Sequence, residues 1–214
     1  MNRHLALLVP SLLLAACAAT SSPGWLLETD AALKAHHAAY LNGDERVAAR
    51  ELALARREVG RTGDATLMAR VELGVCATQT AALALSDCPA FAGLAADAGA
   101  AERAYAAYLA GTAFDPALLP AAQRGAWLGG TGAALTGIDD PLARLVAAGV
   151  LWRAGRLPAD AYGLAIDTAA ERGWRRALLA WLAADRQRLL AAGDQSGAEA
   201  RQRRIERIVG PAGR

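Results

Sequence analysis

Four sets of residues have types and spacings that could support chemistry. Three thiols stand at Cys17, Cys76 and Cys88. His36-His37 places two imidazoles side by side, a candidate for metal binding. Asp139-Asp140 offers two neighbouring carboxylates, and glycoside hydrolysis needs two such groups about 5–10 Å apart across a cleft. Gly129-Gly130-Thr131-Gly132 has the outline of a phosphate-binding turn. Three of these four meet a physical objection. Adjacent residues on a helix point about 100° apart, so His36 and His37 cannot share one metal ion without further ligands, and none lies at a suitable spacing. A solvated or half-buried pair is expected. The glycine run has no strand before it and no Gly-Lys-Ser/Thr ending, so it is expected to be a loop. Asp139 and Asp140 precede Pro141, a position that caps a helix. No catalytic residue, metal ligand or cofactor is assigned.

Cys17 is different because of what precedes it. The chain opens Met1-Asn2-Arg3-His4, and an apolar run follows from Leu5 to Leu14, broken only by Pro10 and Ser11. Roughly ten residues are too few to cross a bilayer core of ~30 Å as a helix, which takes about 20. A basic start, a short apolar core and small residues make the layout of a cleaved export signal. Leu14-Ala15-Ala16-Cys17 then resembles the lipobox of bacterial lipoproteins. That resemblance, which covers the N-terminus alone, implies a leader at residues 1–16. It also implies that Cys17 receives a diacylglyceryl group and becomes the first residue of the mature chain. Acyl chains in pairs hold a protein stably at a membrane. Ala18 following the cysteine resembles the outer-membrane routing of enteric lipoproteins. Residues 17–25 read as the lipidated cysteine and a small-residue tether, and 26–214 as one helical domain.

With Cys17 assigned to lipid, Cys76 and Cys88 remain in an oxidising compartment and read as an intramolecular disulfide. The pairing sets a structural condition. Twelve residues of unbroken helix would hold the two about 18 Å apart, against a limit of about 7 Å. The helix carrying Cys76 must therefore end before about Leu83, and Ser86-Asp87 must fold back.

The chain of 214 residues, less its first sixteen, suffices for one large or two small domains with a substantial core. Hydrophobic residues make up 54% and charged ones 21%, which excludes a disordered body. A formal net charge of +2, almost all of its cations arginine, gives no electrostatic case for nucleic acid. Lys34 is the single lysine.

Helical periodicity runs through nearly all of the body, and no period-2 strand is found, so the fold is expected to be all-α. Asp44 precedes a stripe of Ala48, Leu52, Ala55 and Val59. Asp64 precedes Leu67, Val71, Val75, Thr78 and Ala82. Pro89 opens a short helix, and Ala101 to Leu109 form another. Asp139-Asp140-Pro141 starts a helix with Leu142, Leu145, Val146, Gly149 and Trp152 inward. Ala159 to Arg172 follow, ending at Gly173. Trp174, Ala177, Leu178, Trp181, Leu182 and Leu189 form the clearest stripe. Gly43-Asp44 and Gly193-Asp194 each join two helical stretches, the way antiparallel helical hairpins are built. Their spacing to Ala48 and Ala198 resembles the second half of a tetratricopeptide repeat. The chain departs from that repeat at Ala32, Ala35, His36, Ala39 and Gln202, and it has no 34-residue period. The expected architecture is an irregular stack of antiparallel helical hairpins.

Three surface features complete the reading. Trp25-Leu26-Leu27 either sits in the lipid headgroup region or enters the core at the first helix. Arg172, Arg175 and Arg176 form a candidate patch for an acidic partner, with Asp167 and Glu171 placed to neutralise it. Arg201-Gln202-Arg203-Arg204 reads as a solvated helix face. The functional expectation is a lipid-anchored, periplasm-facing module that binds an envelope protein. The other candidate is a hydrolase acting on the cell wall.

Overall fold

The computed structural model describes residues 23–210, so Cys17 and the expected leader lie outside the described residues. Within them the chain is all-α, with eleven helices, one 3₁₀ turn at Pro116–Leu118 and no strand. The helices are α1 (Gly24–Asn42), α2 (Glu45–Gly60), α3 (Ala65–Ala81), α4 (Pro89–Ala92), α5 (Ala100–Ala110) and α6 (Ala121–Gly129). They continue with α7 (Gly132–Thr136), α8 (Pro141–Arg153), α9 (Ala159–Glu171), α10 (Arg175–Ala191) and α11 (Gln195–Val209). α1 takes in Gly24 and Trp25, which the sequence places in the tether.

Aspartate caps set the starts of four helices. Asp44, Asp64, Asp140 and Asp194 each accept a hydrogen bond from a backbone N–H in the first turn, at 3.2 Å from Val47, 2.8 Å from Thr66, 2.6 Å from Ala143 and 2.8 Å from Gly197. Each satisfies a donor that the helix itself leaves unpaired, worth about 1 kcal/mol. At Gly43 and Gly193 φ is +90° and +78°. A side chain at either would strain that left-handed backbone, so the chain reverses there on a glycine. α1 packs on α2 and α10 on α11 across these turns.

The centre is built by α3, α8 and α10. α8 is buried almost all round, from Leu145 to Leu151, where its sequence pattern predicts a single stripe. It approaches α3 closely because Gly149 has no side chain: a Cβ there would collide with the carbonyl oxygen of Thr80. Trp181 of α10 is fully buried and donates its indole N–H to the carbonyl of Ala81, at 2.9 Å. That carbonyl ends α3 and has no intrahelical donor, so the tryptophan joins the two helices by packing and by a hydrogen bond.

The loop after α3 meets the condition set by the cysteines. α3 stops at Ala81, Leu83 and Cys88 adopt φ of +56° and +51°, and Cys76 and Cys88 form a disulfide with their Cα atoms 5.4 Å apart. Arg153, at the end of α8, fixes the same loop. It donates to the carbonyl of Ser86 at 2.9 Å, to that of Leu109 at 3.2 Å, and to Asp87 at 2.7 Å.

The stretch expected as a loop around Gly129–Gly132 is instead the end of α6, a left-handed Gly130 and the start of α7. Its glycines dilute the helical pattern, and tertiary packing of Ala126 and Leu135, both within 1% of full burial, holds the two short helices in place. A second correction concerns the acids. Glu58, which the pattern of α2 places away from the core, is buried and held by Arg61 at 2.6 Å.

Candidate functional site

A cleft opens where α3, α5 and the segment after the 3₁₀ turn diverge. Its volume is about 480 Å³, and its walls include Arg70, Leu73, Ala101, Glu102, Tyr105 and Leu119. α3 contributes Gly74 as well, a helix-interior glycine that costs about 1 kcal/mol relative to alanine. Pro120 forms part of the rim and has no N–H to offer a ligand.

Two polar features punctuate this apolar surface. Arg70 donates through Nε to Glu102 at 2.8 Å. The carboxylate side of this pair is 10% exposed and the guanidinium 63%, so the charge shown at the mouth is positive. Burial pushes the Glu102 carboxyl up, but Arg70 and the residue's own backbone N–H outweigh this and hold it below the usual carboxylate range. A general acid for glycoside hydrolysis needs the opposite shift. Glu102 is also the one carboxylate among the described residues lining the cleft. The second feature is Tyr105, whose phenol is pushed well up by burial. Its ring stacks on Tyr108 at 5.8 Å, and Tyr108 continues edge-on to Phe114 and Trp127.

The histidines lie on the far side of Gly74. His36 is buried, against the expectation of a solvated or half-buried pair, because its Nδ1–H donates to the carbonyl of Ala48 in α2 at 2.8 Å. Its Nε2 meets no protein donor. His37 is half-buried. The hydroxyl of Thr78 gives its one proton to Gly74, so at 2.6 Å it accepts from His37 Nδ1. Burial, then the neighbouring His36, lower the His37 pKa from an ordinary 6.5 to about 4, against smaller opposing pulls from Asp140 and Asp30. The His37 ring is therefore neutral at pH 7. No group of three or more His, Cys, Asp or Glu that could hold a metal ion occurs among the described residues.

The arginine patch is dispersed. Arg176 pairs with Glu45 of α2 and lies over the Tyr40 ring at 4.1 Å, so it ties α10 to the first two helices. Arg172 lies 5.6 Å from the ring centre of Trp174. Arg175 makes only a 3.4 Å contact with the carbonyl of Ile208. The expected partners Asp167 and Glu171 form no ion pair with any of the three. Arg201 also departs from expectation: it turns inward to the buried Asp185 at 2.7 Å, which Arg188 holds from the other side. Asp140 caps α8 as expected.

A second concave surface runs along the outer side of α11. It has a volume of about 900 Å³ and is lined by Gln202, Arg203, Ile205, Glu206, Arg207 and Val209. The polar contacts of α11 with the other described residues go to α10, through Arg201–Asp185 and Arg175–Ile208, and none of the described residues covers this side. Val209 is 54% exposed there. Leu26 and Leu27, at 41% and 59%, are exposed near the start of α1 and do not join the core.

Neither concave surface was legible in the sequence. Comparison with family models, with curated proteins and with solved structures found no match to this chain. No helix among the described residues is long and apolar enough to cross a membrane.

Proposed function

We propose that this chain is a periplasm-facing lipoprotein, anchored through Cys17, that binds another envelope protein on the outer side of α11. The carrying observation is that open face. Val209 is its exposed apolar residue; Ile205, one helical turn before it, is half-buried against the core with one edge on this surface, and Arg203, Arg207 and the paired polar residues Gln202 and Glu206 flank the two. An amphipathic segment docks on such a surface by placing apolar anchors along these two residues and acidic groups against the arginines. The reading treats the body as an irregular stack of helical hairpins. Short Gly-led turns at Gly43, Gly173 and Gly193 support it, and α11 is then the terminal layer. Exposed Leu26 and Leu27, nine and ten residues after the proposed anchor, support the reading as apolar side chains that the membrane surface would receive. A cell-wall hydrolase gains no support, because the cleft offers one paired carboxylate whose pKa is lowered.

The test is site-specific photo-crosslinking in cells. A crosslinker at Val209 is expected to give a discrete protein adduct. One at Lys34, an exposed residue of α1, is expected to give none. Equal labelling from both positions, or no adduct at Val209, would contradict the docking surface.

A further inference from the structure

The α3–α5 cleft plays no part in docking on α11, and its chemistry points to a different ligand. Its walls include the apolar residues Leu73, Ala101, Leu118 and Leu119, together with Tyr105. A peptide bound there would leave its own N–H and C=O groups without partners, whereas a hydrocarbon chain needs none. The volume of about 480 Å³ falls within the range of small-ligand sites. At the mouth, Glu102 is bound on its inner side and shielded, while Arg70 stands outward with its two terminal amino groups unbonded to any described residue. An apolar slot with a cation at its entrance is complementary to a chain that ends in an anion.

We propose that this cleft binds a fatty acid, with its chain along Leu73, Tyr105 and Leu119 and its carboxylate on the outer edge of the Arg70 guanidinium. Arg70 thus holds one carboxylate of the protein through Nε and has two amino groups left for the ligand. The site shares no residue with the α11 face and does not require the Cys17 anchor.

The test is calorimetric titration of the full chain carrying Cys17→Ser, so that no acyl group of its own competes. Octanoate, decanoate and dodecanoate are titrated below their micelle concentrations, with dodecyltrimethylammonium as the cationic control. Affinity is expected to rise about fourfold per added methylene, and the cationic control is expected to bind at least tenfold more weakly than dodecanoate. Ala101→Trp, at an exposed position on the cleft wall, is expected to abolish binding with an unchanged circular dichroism spectrum. The pair Arg70→Gln and Glu102→Gln keeps the side chains matched but removes the charge, and is expected to weaken dodecanoate binding about tenfold. No binding by any carboxylate would overturn the proposal. So would binding unaffected by Ala101→Trp, or equal affinity for the anionic and cationic chains. None of these results bears on crosslinking at Val209, so the two proposals fail separately.

Discussion

Lowering the pH from 7 to 4.5 is expected to cost the fold about 2.5 kcal/mol through one imidazole, that of His37. In the folded protein its pKa is lowered to about 4 from an ordinary 6.5. The unfolded chain therefore takes up a proton over this window that the folded one refuses. The associated stability is fully present above pH 6.5 and is lost as pH falls toward 4, at about 1.36 kcal/mol per pH unit. The structural cause is the position of the ring, half-buried beside His36, with Nδ1–H committed to Thr78 and Nε2 left to accept the added proton. Urea unfolding at pH 7 and pH 4.5 measures the loss. His37→Asn supplies a control, since its side-chain N–H can still reach the Thr78 hydroxyl but cannot titrate. That variant is expected to lose less than about 1 kcal/mol over the same interval. Glu102 does not confound the comparison. Its carboxyl is held below the usual range, so its contribution begins to be lost only at the acid end of the window, and to the same extent in His37→Asn. Equal stability of the natural protein at both pH values, or an equal loss in His37→Asn, would refute the reasoning.

Three further variants probe the packing and the disulfide. Gly149→Ala is expected to cost about 2–3 kcal/mol in a urea midpoint measurement, because the added Cβ meets the backbone of Thr80, which cannot rotate away. Trp181→Phe is expected to cost about 2–3 kcal/mol, the sum of a partly vacated site and an unpaired Ala81 carbonyl. Its thermal midpoint should fall further than that of a change at half-buried Leu178. Replacing Cys76 and Cys88 together with Ser is expected to cost about 3 kcal/mol. In the natural protein, alkylation of these thiols should require reductant.

Much of the fold was legible because it is written in local chemistry. Asp44, Asp64, Asp140 and Asp194 stand in the sequence at the starts of helical stretches or at the turns that join them, and each makes a capping hydrogen bond in the structure. The cysteine pair carried a condition on the end of α3, and the turn through Ala82 and Leu83 meets it. What the sequence concealed depends on groups far apart in the chain. Glu72 is buried by Arg56, which grips both of its oxygens at 2.6 and 2.7 Å from another helix. Asp185 is buried by Arg201 from the next helix. Neither acid differs in type or spacing from a solvated one.

Alanine obscured the rest. In α8, Ala147 and Ala148 are buried as fully as Leu145 and Val146. A residue so small carries little periodic signal, and a helix buried on all sides reads as one with a single stripe. The cleft was hidden for a related reason. Arg70, Glu102 and Leu119 are each ordinary in their own segment, and only the divergence of α3 from α5 brings them to one opening. The histidine pair shows the converse. Its residues drew notice in the sequence, yet the structure uses His36 to join α1 to α2 through Ala48.

The most direct measurement is the intact mass of the protein purified from its native cells, with the N-terminal peptide sequenced. An envelope lipoprotein requires a chain that begins at Cys17 and carries acyl groups on that residue. A chain that retains residues 1–16, or one with an unmodified thiol at Cys17, would contradict the anchor and remove the basis for an envelope partner.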